Sequence, residues 1–218
     1  MMKCYLYLVF TLLTLSSCGS ENTKVDAFQS KTHYDLALEL AKYSLYENAL
    51  EEFDLAIKFD PGNIIAYRKK GVVLFGLKQY DEAENLFAKT ISLDPENVQA
   101  YINLGMVKYI TGDKDGAIKL WQKSIDMKSD DNDSKALNNI ANVYKEEKNY
   151  DKAIRQYRLA SNKDPMNPMY INNLADTLRL NGQLDEALRL LNDSLKLDSS
   201  GMGTYFNLGM VYKDLKEN

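Results

Sequence analysis

Few residues in this chain have the types and spacing that catalysis or metal binding requires. The sequence contains one histidine, His33, and two cysteines, Cys4 and Cys18. These numbers exclude a histidine-built centre, a cysteine-rich zinc site and a disulfide framework. The acidic stretch 130–134 lacks the glycine and the final glutamate that a calcium-binding loop needs. No glycine-rich phosphate loop or nucleophile elbow occurs, so we expect no catalytic residue, metal or cofactor.

Structural roles explain the remaining polar candidates better than chemistry does. His33 falls at a core-type position of a helical pattern, where we expect a packed and partly buried ring. The carboxylate pairs 51–52 and 146–147 lie on predicted helices and are expected on the solvated surface. An insertion followed by a helix N-cap accounts for the acidic stretch.

Composition and charge exclude further classes of function. The chain has 27 basic and 31 acidic side chains, a net charge of −4, 45% hydrophobic residues and 27% charged residues. Such a composition is typical of a globular protein. Nucleic-acid binding usually needs a basic patch. We therefore expect neither a nucleic acid nor a small-molecule substrate as the ligand.

Cys18 is the residue whose surroundings do suggest chemistry. Lys3 precedes an apolar run over 5–15, which is too short to span a bilayer but fits the core of a signal peptide. The motif Leu15-Ser16-Ser17-Cys18 resembles the lipobox of bacterial lipoproteins. This resemblance implies removal of residues 1–17 and lipidation of Cys18. The alternatives are an uncleaved anchor or an ordinary signal peptide with an incidental cysteine.

The residues after Cys18 suggest a tether and a location. Residues 19–29 are polar, small and without periodicity, so they are predicted to form a flexible tether that extends at most about 35–40 Å. The lipoprotein resemblance places the chain in a bacterial cell envelope. Gly19 is not the aspartate that commonly retains lipoproteins at the inner membrane, which favours the outer membrane, with either face possible.

A repeat of 34 residues organises the remainder of the chain. Asp-Pro pairs occur at 60–61, 94–95 and 164–165. The first two pairs are one period apart, and the third follows the second by two periods plus two residues. Each period contains two amphipathic helical patterns around a turn. Small residues recur where the two helices must cross. The predicted units are 30–63, 64–97, 98–131, 134–167 and 168–201, with Asn132 and Asp133 inserted and 202–218 as a half unit.

These units resemble tetratricopeptide repeats. The family pattern is visible in Tyr101-x2-Leu104-Gly105 and Ala117-x3-Trp121, and again in Tyr205-x2-Leu208-Gly209-x2-Tyr212. The resemblance covers 30–218. It implies an all-α fold, a right-handed α-solenoid of five helix pairs plus a C-terminal single helix, with eleven helices in all.

The resemblance also implies a binding groove along the first helices. In this family, positions 2, 5, 6, 9, 12 and 13 of each first helix tend to face the concave surface. Asparagine occupies position 6 four times: Asn103, Asn139, Asn173 and Asn207. A carboxamide can match a peptide group of an extended chain, or it can support packing between repeats. The other predicted groove residues are Arg68, Lys69, Phe75, Ile102, Met106, Tyr109, Asn138, Asn142, Asn172 and Asp176.

The function that follows is a non-enzymatic, membrane-anchored adaptor that binds a protein or an extended peptide in this groove. The alternative is an assembly factor, similar to lipoprotein pilotins or cell-wall-complex organisers, which would act through the convex face or the C-terminal helix. A third alternative is an N-terminal piece of a larger enzyme, because tetratricopeptide arrays sometimes precede catalytic domains.

Overall fold

The computed structural model describes residues 24–127, 133–197 and 199–217. Within these ranges the regular structure is α-helical. The described residues up to Pro95 and those from Glu96 onward form two compact units. The predicted signal peptide, Cys18 and residues 130–132 of the acidic stretch lie outside the described residues. In the described part, no helix is both long enough and apolar enough to cross a membrane.

The first unit contains two antiparallel helix pairs. Its helices are α1 (24–42), α2 (Tyr46–Phe59), α3 (Ile64–Gly76) and α4 (Tyr80–Leu93). Its core combines Ala37 of α1, Phe53 and Ala56 of α2, and Ala66 of α3. As expected, His33 is partly buried, stacked on Phe59 and bonded to Glu52 at 2.6 Å.

The second unit continues the same alternation from Glu96 onward. Its helices are α5 (Val98–Ile110), α6 (Lys114–Asp126), α7 (Asp133–Glu146), α8 (Tyr150–Lys163), α9 (Pro168–Leu180), α10 (Leu184–Leu197) and α11 (Met202–Glu217). Asp133 begins α7, and its buried carboxylate pairs with Lys163 of α8 at 2.7 Å. The described residues thus contain eleven helices, which agrees with the number predicted.

The first helix begins earlier than the sequence predicts. The tether is predicted to extend through Gln29, but residues 24–29 already belong to α1. The Ser30 hydroxyl donates to the carbonyl of Ala56 at 2.8 Å, and the Thr32 hydroxyl donates to the carbonyl of Phe28 at 2.9 Å. These contacts fix the chain just after the predicted tether, and Lys24, Ala27 and Gln29 are ordinary helix-forming residues that extend the helix backwards.

The Asp-Pro-x-Asn sequences set the boundaries between repeats. Asp60 and Asp94 follow the last residues of α2 and α4, and proline then prevents the helix from continuing. The asparagine three residues later caps the next helix. The Asn63 side chain accepts from the amide of Ala66 at 3.0 Å, and the Asn97 side chain accepts from the amide of Ala100 at 3.2 Å.

In the α3–α4 and α5–α6 pairs, a small residue on the first helix packs against a large side chain on the second helix. A Cβ atom at Gly71 would lie 2.8 Å from Cε1 of Phe87, and a Cβ atom at Gly105 would lie 2.7 Å from Cδ1 of Trp121. Phe87 and Trp121 are each only 1% exposed. The close crossing predicted from small residues is therefore confirmed in both of these pairs.

A left-handed residue forms the turn within each helix pair. Gly112 and Gly182 have φ angles of +97° and +77°. Residues with side chains adopt positive φ at the same repeat position in the other pairs: Ser44, Lys78 and Lys148. The sequence marks this turn only where glycine occupies it.

Candidate binding groove

Three successive first helices of the second unit line a common cleft. Its volume is about 400 Å³, and its walls are Tyr109 of α5, Asn142, Lys145 and Glu146 of α7, and Leu180 of α9. Two of these residues, Tyr109 and Asn142, are predicted groove residues. The first helices of this unit therefore present side chains to one shared concavity, as the repeat pattern implies.

Tyr109 and Glu146 close one side of this cleft. The Tyr109 hydroxyl donates to Oε1 of Glu146, whose Oε2 pairs with Nζ of Lys114 at 2.8 Å. The hydrogen bond from Lys114 lowers the pKa of Glu146 most, and the hydrogen bond from Tyr109 lowers it further. Burial, and to a smaller extent the bond to Glu146, raises the pKa of Tyr109 to about 12. The phenol therefore stays neutral and the carboxylate stays charged near neutral pH.

A chain of alternating charges runs along the α7, α9 and α11 side of the groove. Lys145 Nζ lies 2.6 Å from Asp176 Oδ2, and Arg179 bridges Asp176 and Asp214 at 3.0 and 2.7 Å. Burial raises the pKa of Asp176, but the bonds from Lys145 and Arg179 outweigh it and hold that pKa below its ordinary value. These four side chains compensate one another, so a ligand meets no net charge from them.

The asparagines at position 6 differ in their contacts. Asn173 Nδ2 donates to Oδ1 of Asn138 at 2.8 Å, and Asn207 Nδ2 donates to the carbonyl of Asn172 at 3.3 Å. Asn103 Oδ1 accepts from Gln99 at 3.2 Å. Asn139 is partly exposed on α7. Hydrogen bonding between neighbouring first helices thus explains why asparagine occupies positions 173 and 207.

Two predicted groove residues are buried and unavailable to a ligand. Ile102 is 5% exposed and packs with Trp121 and Ile140, and its carbonyl accepts from Trp121 Nε1 at 3.1 Å. Asn138 is 6% exposed and accepts from Asn173. Both residues occupy position 5, which on α5 and α7 turns toward the neighbouring first helix rather than toward the cleft.

The remaining predicted groove residues are partly exposed. In the second unit Met106, Asn172 and Asp176 are each partly exposed on α5 or α9. In the first unit Arg68 and Lys69 are partly exposed on α3. Phe75 packs against the Tyr80 ring with centroids 5.6 Å apart, so it supports its own helix pair.

A separate cleft of about 500 Å³ lies within the first unit. It runs between α1 and the start of α3, with Tyr34 and Ile65 among its apolar walls and Lys31 and Asp35 among its polar ones. None of the α1 residues of this cleft is among the predicted groove residues.

Sequence reasoning also missed several cleft residues of the second unit. Glu146 is exposed, as expected, but its bonds to Tyr109 and Lys114 were not predicted. Leu180 carries no motif. The Tyr157 hydroxyl donates to Asn142 Oδ1 and thereby orients that amide at the cleft wall. Among the described residues, no group of three acidic, histidine or cysteine side chains is placed to hold a metal ion.

The outer face of α11 carries exposed aromatic residues. Tyr205, Phe206 and Tyr212 are 54%, 70% and 50% exposed. Gly209 occupies the small-residue position of α11, and a Cβ atom there would meet nothing within 4 Å. The opposite face is buried: Leu208 and Val211 belong to the core of the second unit.

The profile of the tetratricopeptide repeat family matches residues 66–133 and 138–201. The chain belongs to the tetratricopeptide repeat family. The predicted fold class, an all-α solenoid of tetratricopeptide helix pairs, is confirmed by this match and by the helix pairs described above. Among curated proteins there is no significant match.

Solved structures of other tetratricopeptide proteins have a similar fold. MamA from Desulfovibrio magneticus RS-1, in a structure that begins at its residue 41, is 17% identical with a TM-score of 0.67, and the match covers 80% of this chain and 97% of that one. YrrB, described as having an unusual peptide-binding site, is 22% identical with a TM-score of 0.59, covering 80% and 89%. PilW, described as a type IV pilus biogenesis factor, is 18% identical with a TM-score of 0.71, covering 86% and 91%.

Proposed function

We propose that this protein is a membrane-anchored, non-enzymatic adaptor that binds a protein partner or an extended peptide along its first helices. The cleft formed jointly by α5, α7 and α9 is the observation that carries the proposal. Its walls combine an apolar side chain, Leu180, with the neutral amide of Asn142 and the neutral phenol of Tyr109. Such a surface suits a peptide backbone with an apolar side chain beside it.

The neighbouring charges favour an uncharged ligand segment at this cleft. Because Lys145, Asp176, Arg179 and Asp214 already pair with one another, a charged ligand group would have to displace an existing partner. Uncharged peptide groups would not. That YrrB is described as a peptide-binding protein of the same fold adds support to a peptide ligand.

The anchor in this proposal is a lipid on Cys18, and it rests on the lipobox-like motif and on the short apolar run before it. We propose the outer membrane of a bacterial envelope as the location. A lipid anchor would hold the groove near the membrane, where the partner would then also be found.

Site-specific photo-crosslinking in cells tests the groove. A crosslinking residue replaces Asn139 or Met106, both partly exposed on first helices, and a matched control replaces Asn162, which is exposed on the second helix α8. We expect a discrete crosslinked partner from the two groove positions and none from Asn162. Equal crosslinking at all three positions would contradict groove binding. A Cys18→Ser version of each variant shows whether capture requires the anchor.

An assembly factor acting through α11 is the second candidate, because Phe206 and Tyr212 are exposed there. PilW, a pilus biogenesis factor, has the same fold. Deleting 202–218 would remove Leu208 and Val211 from the core of the second unit and expose their buried neighbours, so the pair Phe206→Ser and Tyr212→Ser is the better test. If this variant no longer bound the partner while substitutions in the groove left binding unchanged, the result would favour α11 over the groove as the binding surface.

A further inference from the structure

One face of α1 is apolar and exposed. Val25, Phe28 and Leu36 are 56%, 69% and 45% exposed. At 100° per residue, these three side chains and Thr32 point to the same side of the helix. The opposite side carries Ser30 and Ala37, which are 2% and 0% exposed and contact α2 and α3. The apolar face is thus turned away from the core of the first unit.

The short segment between Cys18 and α1 limits how far the apolar face of α1 can lie from the proposed lipid anchor. Only residues 19–23 separate Cys18 from Lys24, where the described helix starts. Six residue steps extend at most about 20 Å. The inference rests on the proposed lipid anchor: with Cys18 at the membrane, the start of α1 stays within about 20 Å of the lipid headgroups and Phe28, four helical residues further on, within about 26 Å.

We propose that Val25 and Phe28 insert into the membrane interface beside the lipidated cysteine and form a second contact with the bilayer. The tether makes this contact intramolecular, so even weak apolar insertion is effective at the high local concentration it creates.

The charges near these two residues fit an apolar rather than an electrostatic contact. Lys24 and Lys31 flank them, and Asp26 lies between, so the first two turns carry a net charge of about +1. Membrane contact is therefore expected to depend weakly on the content of anionic lipid. It should depend strongly on the two apolar side chains.

The experiment uses the full-length chain, processed in bacteria, extracted in detergent and reconstituted into phosphatidylethanolamine–phosphatidylglycerol vesicles. Thr32→Cys carries an environment-sensitive fluorophore on the apolar face, and Lys89→Cys on α4 carries the control fluorophore. Both positions are exposed. Once residues 1–17 are removed and Cys18 is lipidated, the introduced thiol is the sole one. Nitroxide-bearing lipids then report proximity to the bilayer.

We expect quenching at position 32 to be at least twofold greater than at position 89. The pair Val25→Ser and Phe28→Ser should reduce it to the level of position 89. Because both native side chains are exposed, this variant should melt at the same temperature as the parent, which controls for folding.

Mass spectrometry and vesicle flotation separate the possible failures. A chain that has no lipid and does not float overturns the anchor of the proposed function. A lipidated, floating chain with equal quenching at positions 32 and 89 overturns the α1 contact alone. A fluorophore response that follows protein concentration without nitroxide quenching identifies a second copy as the occupant and also overturns the contact.

Discussion

Replacing Gly105 by alanine should destabilise the second unit, even though alanine is the better helix former. The new Cβ atom would lie 2.7 Å from Cδ1 and 2.9 Å from Cε2 of Trp121. Trp121 is 1% exposed and cannot move toward solvent without opening the core. Any shift of its ring also disturbs the 3.1 Å hydrogen bond from Nε1 to the carbonyl of Ile102.

The size of the effect follows from three opposing contributions. Overpacking a core of this kind costs roughly 1–3 kcal/mol. Weakening one buried hydrogen bond costs about 1 kcal/mol more. The gain in helix propensity from glycine to alanine offsets about 1 kcal/mol. The free energy of unfolding should therefore fall by about 1–3 kcal/mol.

Urea unfolding followed by tryptophan fluorescence measures this change directly, because Trp121 is the sole tryptophan of the chain. Gly209→Ala is the matched control. It changes the same repeat position on α11, where the added Cβ atom would meet nothing within 4 Å. This variant should be as stable as the parent or more stable by up to about 1 kcal/mol.

Equal stability of the Gly105 and Gly209 variants would refute the packing argument. It would mean that Trp121 can relax without cost and that propensity alone governs this position. A gain for Gly209→Ala together with a loss for Gly105→Ala would instead establish that helix contact makes the small residue necessary.

Two further predictions concern charge and backbone conformation. Because the folded pKa of Asp176 lies below its ordinary value, its contribution to stability is complete above about pH 5 and is lost as the pH falls from about 4 through the folded pKa. Asp176→Asn should lower stability at neutral pH and flatten this acid dependence, as measured by urea unfolding between pH 3 and 7. Gly112→Ala should destabilise by about 1 kcal/mol because the φ angle there is +97° while the space around it is open. An unchanged midpoint in thermal unfolding by circular dichroism would contradict that expectation.

The repeat pattern predicted the helix pairs because each boundary has a local cause. Proline after Asp60 and Asp94 prevents α2 and α4 from continuing, and the asparagine three residues after each aspartate caps the next helix. The backbone conformation of the turn residues was harder to predict from the sequence. Lys78 and Lys148 adopt left-handed backbone conformations with φ angles of +63° and +58°, which no local preference of lysine indicates. The packing of the helix pair imposes them.

The cleft was predicted only in part, because its residues come from three helices. Two residues that the family pattern indicated, Tyr109 and Asn142, line its wall. It could not reveal that Glu146 would bond Tyr109, since the two residues are 37 positions apart. Likewise, Asn138 looks like a ligand contact by position, but its neighbour Asn173 bonds it. Long-range pairing of this kind depends on how far apart the first helices lie.

The asparagines therefore support different functions, and substitution can separate them. Asn173→Ala leaves Oδ1 of Asn138 without its donor in a residue that is 6% exposed. An unpaired buried polar group costs about 1–3 kcal/mol, so this variant should lose stability. Asn139 is partly exposed, and its replacement by alanine should keep the unfolding midpoint while reducing partner capture roughly 2–10-fold, the equivalent of one hydrogen bond. If Asn139→Ala instead lowered stability and spared capture, the asparagines at position 6 would serve helix packing, and groove recognition would have to rest on Tyr109, Asn142 and Leu180.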